Sequence, residues 1–383
     1  MTLADLSAAA DNAVLKDIIV GRITEEGHIS FRDFMDLALY HPVHGYYAAC
    51  DPTRDYQSSP EAHAVFGAVL GRQVADFWRL MGRPARFDVF EAGAGNGRLA
   101  GDILAWLRAQ EPDLYDAASY VVQDVAYESA TARERVERVG LSSDRVAIRQ
   151  EMPGAGEVEG CILSNELLDA LPFHRVRTEG GRPVEVHTGY ADGHFVDVLA
   201  EPLREVVAYF DALGLAPGEG CEAEVNLAAA DWMARAAAAL RRGYLLTLDY
   251  GYAASELYAP WRRRGTLLTF FRHTPGEDPY VRVGRQDITA SVDFTTVARA
   301  GESAGLRTLG LATQSAFLQA LGIGEALAAR PSREGLESYY ALRRSIVELT
   351  DAAGLGRIKV LIQGRDVSEE LPLGLGARPA GNG

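Results

Sequence analysis

Apolar positions in the first part of the chain recur at helical spacing. Val65, Phe66, Val69, Leu70, Val74, Phe77, Trp78 and Met81 fall on one helical face. Just before them, Ser58-Ser59-Pro60-Glu61 reads as a helix start. Serine caps, proline suits the first helical position, and Ser58 and Glu61 have capping-box spacing. Residues 1–84 are therefore expected to form a mostly helical N-terminal region. From Phe87 the pattern changes. Short apolar runs at Phe87–Glu91, Tyr120–Asp124, Val146–Ile148, Cys161–Ser164 and Tyr244–Leu248 are separated by longer segments. One of these segments carries Leu99, Ile103, Leu104, Trp106 and Leu107 at helical period. Strands alternating with helices imply an α/β domain, here residues 85–370, with a mostly parallel sheet covered on both faces. The alternation in Val184-Glu-Val-His187 and the Asp192-Gly193 pair interrupt this rhythm, predicting an inserted antiparallel β segment at about 174–200. The Gly- and Pro-rich stretch 371–383 is expected to be a flexible tail.

Composition narrows the function classes. The 383 residues include 38 basic and 53 acidic side chains, a formal charge of −15. A chain this acidic is poorly suited to long nucleic acid, whose phosphates need a dense basic surface. The cluster Arg262, Arg263, Arg264 is a local exception that reads as a solvated face. Cys50, Cys161 and Cys221 are too few and too scattered for a disulfide framework or a zinc site, which fits a reducing compartment. The start, Met-Thr-Leu-Ala-Asp-Leu, has no signal-peptide pattern, and no apolar run approaches membrane-spanning length. A cytoplasmic location is the resulting expectation. No histidine has metal-ligand company, so no metal site is expected.

The candidate chemistry centres on Glu91-Ala-Gly93-Ala-Gly95-Asn-Gly97, between an apolar strand and a helix. Glycines there let the backbone turn sharply and approach a ligand, while the helix start offers free N–H groups. A dinucleotide fingerprint is disfavoured, because its third glycine position holds Arg98, and a phosphate P-loop lacks its Gly-Lys-Ser/Thr. Asp124, at the end of the next strand, could accept both hydroxyls of a ribose; its competing role is a helix cap. A second polar group follows the strand at 161–164, in Asn165-Glu166-Leu-Leu-Asp169-Ala-Leu-Pro172. In open α/β sheets ligands sit beyond the carboxyl ends of the strands, which makes Asn165, Glu166 and Asp169 candidates for orienting a substrate. Glu166 or Asp169 could instead cap the helix expected after them.

These blocks resemble a known family. The acidic-x-Gly-x-Gly-x-Gly loop is similar to that of class I methyltransferases, and the wider series resembles the MidA-like proteins. The matching blocks include Ile29-Ser-Phe31-Arg-Asp-Phe34-Met35, Pro42-Val-His-Gly45-Tyr46-Tyr47 and Asp55-Tyr-Gln-Ser-Ser59-Pro60-Glu61. Further along come Glu91 to Gly97, Asn165 to Pro172, Asp249-Tyr250-Gly251, Arg264-Gly265-Thr266-Leu267, His273 and Asp287 to Phe294. The chain departs from the family pattern at Arg54-Asp55-Tyr56, where Gly-Asp-Phe is usual, and at Leu167 and Leu168, where the family has aromatics.

The resemblance implies a Rossmann-like class I fold and S-adenosyl-L-methionine as cofactor. Glu91, Gly93, Gly95, Gly97 and Asp124 would bind it, with Glu151 and Met152 beside the adenine. A mitochondrial relative in this family is an arginine methyltransferase needed for respiratory complex I assembly, so a protein arginine is the implied acceptor. Asn165, Glu166 and Asp169 would be the catalytic set. Two alternatives stay open: a cofactor-binding assembly or scaffold protein without turnover, and a methyltransferase acting on a small molecule. Oligomeric state is likewise open, a homodimer included.

Overall fold

Runs of branched and aromatic residues bounded by glycine and polar turns form strands where both faces are covered. The computed structural model describes residues 10–124, 146–328 and 336–376. Within these, the chain divides into two units, each drawn from three segments. Unit 1 comprises Met1–Gln57, Leu168–Trp232 and Gly251–Val297; unit 2 comprises Ser58–Leu167, Met233–Tyr250 and Ala298–Gly383. The helices before Gln57 thus belong to unit 1, while the long apolar helix at 65–80 belongs to unit 2.

Unit 2 holds a seven-stranded sheet. Its strands are β1 (Phe87–Ala92), β2 (Ala118–Gln123), β3 (Val146–Arg149), β4 (Val158–Asn165), β5 (Leu240–Asp249), β6 (Arg307–Thr313) and β7 (Lys359–Arg365). Their order across the sheet is β3-β2-β1-β4-β5-β7-β6. The first five run parallel, and β7 pairs antiparallel with both β5 and β6. Strand order reverses direction between β1 and β4, which opens a crevice at their carboxyl ends. The expected strands are all present. β4 extends through Asn165, so this residue closes the strand rather than starting the loop.

Three helices of unit 2 matter for the crevice: α1 (Ser59–Ala62), α2 (Val65–Leu80) and α3 (Arg98–Gln110). The expected single helix from Ser58 is broken, because His63 is extended (φ −174°, ψ 149°) and its Nδ1 accepts the Val65 N–H at 3.0 Å. The capping box does not form either: Ser58 makes no side-chain cap bond, and Glu61 points elsewhere. α2 buries the predicted stripe against the sheet, where Phe77 stacks on Tyr244 with ring centroids 4.1 Å apart. Residues 371–376, expected within the flexible tail, are anchored on α2. Asp76 Oδ2 accepts the Leu373 N–H and Gln73 Oε1 the Gly374 N–H, both at 2.8 Å. The rest of the tail lies outside the described residues.

In unit 1 the predicted antiparallel insertion is three strands, His174–Glu179, Arg182–Ala191 and His194–Ala200. Asp192 and Gly193 both take positive φ in the two-residue turn, as the Asp-Gly pair predicts. This sheet also takes in Ile29–Ser30 and Glu222–Val225. The helices Ala13–Glu26 and Phe31–Tyr40 pack with it around Phe31, Phe34, Phe173 and Phe195.

Candidate functional site

The glycine loop leaves β1 at the reversal point. Gly93, Gly95 and Gly97 adopt φ of 67°, 56° and 77°, a left-handed backbone that side-chain-bearing residues resist. Gly93 and Ala94 donate to Gln123 O at 2.8 and 3.1 Å, which ties the loop to the end of β2. A Cβ on Gly93 would lie 2.9 Å from Leu167 Cδ1, whereas one on Gly95 would meet nothing within 4 Å. Among the described residues, none fills the space at Gly95. An exposed, left-handed, open glycine beside a helix start fits a cradle for a ligand's backbone-like edge.

Two carboxylates line this loop. Asp124 Oδ2 accepts the Gly95 N–H at 2.8 Å, so Asp124 braces the loop; the helix-cap role expected for it would fall on residues outside those described. A carboxylate has about four lone-pair positions and can accept several hydrogen bonds at once, as ribose hydroxyls require. Glu91 is buried, and Tyr120 Oη donates to its Oε2 at 2.5 Å. Burial pushes the Glu91 carboxyl up to about 8; the Tyr120 bond opposes that shift and the Asp124 charge adds to it. Glu151 is exposed and Met152 half-buried just past β3, and Gln123 Nε2 donates to Gln150 O at 3.1 Å, drawing that loop to the end of β2.

Across the reversal point, Ser164 pairs with Ala92, which puts Asn165 one residue beyond, level with the start of the loop. Asn165 Nδ2 donates to Glu166 Oε1 at 3.0 Å, and the Ser59 N–H donates to the same oxygen at 2.9 Å. Asn165 Oδ1 is buried and accepts no hydrogen bond among the described residues. Glu166 sits at φ 49°, held by its N–H on Leu248 O at 2.8 Å. Burial holds its carboxyl above the usual range against the bonds from Ser59 and Asn165. Leu167 follows with its N–H on Asp249 Oδ2 at 3.1 Å. Asp249, fully buried at the end of β5, also accepts the Tyr250 N–H at 2.8 Å.

The structure thus brings Asn165 and Glu166 together and places both beside the glycine loop. Asp169 falls in unit 1, buried, with its carbonyl accepting the Ala290 N–H at 3.0 Å. Asp293, within the block Asp287 to Phe294, caps the helix Phe294–Ser303 through Thr295 N and Thr296 Oγ1. Tyr46 and Tyr47 donate to Asp55 and Asp287 respectively, each at 2.9 Å; burial pushes the Asp287 carboxyl up to about 6. No group of three or more metal-ligating side chains occurs among the described residues. Ser59, Asn96, Tyr120 and Asp249 hold the candidate residues in place, though the sequence did not mark them as site residues; Ser59, Asn96 and Asp249 stood in blocks that carry the family resemblance, while Tyr120 carried no signal of this role.

A parallel sheet reversing between β1 and β4, with an acidic glycine loop and a ribose-compatible carboxylate at that point, defines a class I nucleoside-cofactor transferase. Comparison with known proteins narrows this to one family. The sequence profile of the S-adenosyl-L-methionine-dependent methyltransferases matches residues 69–312, more than half of the chain, and the chain belongs to that family. A protein from Burkholderia thailandensis, solved with S-adenosyl-homocysteine bound, superposes with a TM-score of 0.86 at 29% identity, over 97% of this chain and 96% of its own. The Drosophila melanogaster mitochondrial homolog of the protein arginine methyltransferase NDUFAF7 is 27% identical over 94% of this chain and 86% of its own. The human protein arginine methyltransferase NDUFAF7 is 25% identical over 79% of this chain and 72% of its own. S-adenosylmethionine is accordingly the cofactor, and the open left-handed cradle at Gly95 fits it.

Proposed function

We infer that this methyltransferase transfers the sulfonium methyl to a guanidinium nitrogen of a protein arginine. The observation that carries the reading is the Asn165–Glu166 pair. Among the described residues, Asn165 Oδ1 is a buried acceptor without a donor, and Glu166 is a carboxylate anchored through Oε1. A site whose available groups accept hydrogen bonds suits a ligand that only donates them, and guanidinium carries five N–H donors and no acceptor. The names of the relatives point to the same acceptor.

In this reading Glu91, Gly93, Gly95, Gly97 and Asp124 cradle the cofactor, with Glu151 and Met152 near its base. The cofactor supplies an electrophilic methyl group. Asn165 and Glu166 hold one guanidinium nitrogen in line and favour the tautomer that exposes its lone pair.

Incubating the protein with methyl-labelled cofactor and cell extract tests the reading. Label should appear as N-methylarginine in acid-precipitable protein, and Glu166→Gln should reduce it about 100-fold while cofactor affinity stays within about threefold of wild type. Label confined to small molecules, or full activity in Glu166→Gln, would overturn it.

A further inference from the structure

Glu61 was expected to close a capping box on its own helix, and it does something else. Its Oε1 accepts from Asn96 Nδ2 at 2.8 Å and its Oε2 from Arg98 Nη1 at 3.2 Å. Asn96 stands between Gly95 and Gly97, and its Oδ1 also accepts the Arg98 N–H at 3.0 Å. The side chain inside the glycine loop is thus held at both ends. Arg98 is the first residue of α3, where a cation opposes the helix dipole, and that first turn contains no acidic residue. Gly97, the cap residue, makes no side-chain cap bond. Glu61, on a different helix, supplies negative charge there at 3.2 Å from Arg98 Nη1, closer than Asp102 Oδ2, which lies 3.9 Å from Arg98 Nε.

The same four-residue helix α1 has a second attachment. Ser59, two residues earlier and fully buried, gives its N–H to Glu166 Oε1, and its Oγ donates to Gln314 Oε1 at 3.1 Å. Ser345 Oγ fixes the other end through Ala62 O at 3.1 Å. One short, proline-containing turn therefore bonds the cofactor loop on one side and Glu166 on the other.

We propose that Glu61 is a positioning residue that presets the glycine loop for S-adenosylmethionine through Asn96 and Arg98 and, by way of Ser59, holds that loop in register with Glu166. A loop with three left-handed glycines samples many shapes unless side chains restrain it, and every shape lost on binding weakens affinity. Glu61 removes those shapes in advance. The inference rests on the cofactor, and the identity of the methyl acceptor does not enter it.

The test is calorimetric titration with S-adenosylmethionine and S-adenosylhomocysteine of wild type, Glu61→Gln, Arg98→Gln and the double variant. Loss of one charged hydrogen bond should weaken both ligands about tenfold in Glu61→Gln, with the thermal midpoint nearly unchanged. The double variant should bind no worse than the weaker single, because both substitutions cut the same link. Hydrogen exchange of the ligand-free protein should be faster over residues 93–98 in Glu61→Gln. Unchanged affinity, additive losses in the double variant, or unaltered exchange in the loop would each overturn the proposal. Failure of wild type to bind either ligand would instead remove the cofactor assignment itself, so the two failures are distinguishable.

Discussion

Replacing Gly95 separates cradle from scaffold. Its φ of 56° is left-handed, and a Cβ there would touch no atom of the described residues within 4 Å. Alanine or valine costs about 1–2 kcal/mol of backbone strain, while asparagine tolerates the region well. Gly95→Asn should therefore lower the melting temperature by only about 2 °C, if at all. In the proposed cradle its side chain would nevertheless occupy the space meant for the cofactor. Overpacking of that kind costs about 1–3 kcal/mol, or roughly 5- to 150-fold in Kd. Gly93 provides the contrast, because its Cβ would lie 2.9 Å from Leu167 and its φ is also positive. Gly93→Ala should thus lose stability and affinity together. Titration calorimetry with S-adenosylmethionine, paired with thermal melts followed by circular dichroism, reads both quantities. Undiminished binding by folded Gly95→Asn would refute the cradle.

Two further outcomes follow from the buried carboxylates. The Glu91 carboxyl is raised from 4.5 to about 8, so its neutral form is favoured in the folded protein. That contribution to stability is complete below about pH 4.5 and is lost as pH rises toward 8, at most about 4–5 kcal/mol; urea unfolding of Glu91→Gln should show a correspondingly flatter pH dependence. Asp249 takes the Leu167 and Tyr250 N–H groups on separate oxygens. Asp249→Asn turns one acceptor into a donor facing a donor and should cost about 1–3 kcal/mol in urea unfolding, and a wild-type midpoint would show that these bonds do not hold the Glu166 segment.

How much of this was legible in the sequence depends on how local each signal is. The strands of unit 2 announce themselves by short apolar runs, and the glycine loop by its place between one such strand and a helix. The Asp192-Gly193 turn was equally plain, because positive φ is a property of two residues. The division into units was not legible, since segments far apart in sequence share one sheet: Ile29–Ser30 pairs with residues 187–188. The break at His63 was hidden too, because the apolar stripe from Val65 keeps its period whether or not the preceding turn is continuous with it.

Glu61 shows why local patterns mislead most at a working site. Ser58 and Glu61 match a capping box, which satisfies the orphan donors of a helix from within its own sequence. At α1 the Glu61 N–H bonds Ser58 O and the Ser59 N–H goes to Glu166, while the Glu61 carboxylate bonds Asn96 and Arg98. The exchange trades a local bond for a charged one across the chain, at the point where the cofactor loop begins its helix. A local rule is overridden where a distant partner offers a stronger interaction, and here both override partners, Glu166 and the glycine loop, are residues of the proposed acceptor and cofactor sites. A capping motif that fails to cap is thus itself a signal, readable only when the sequence expectation and the structure are set side by side.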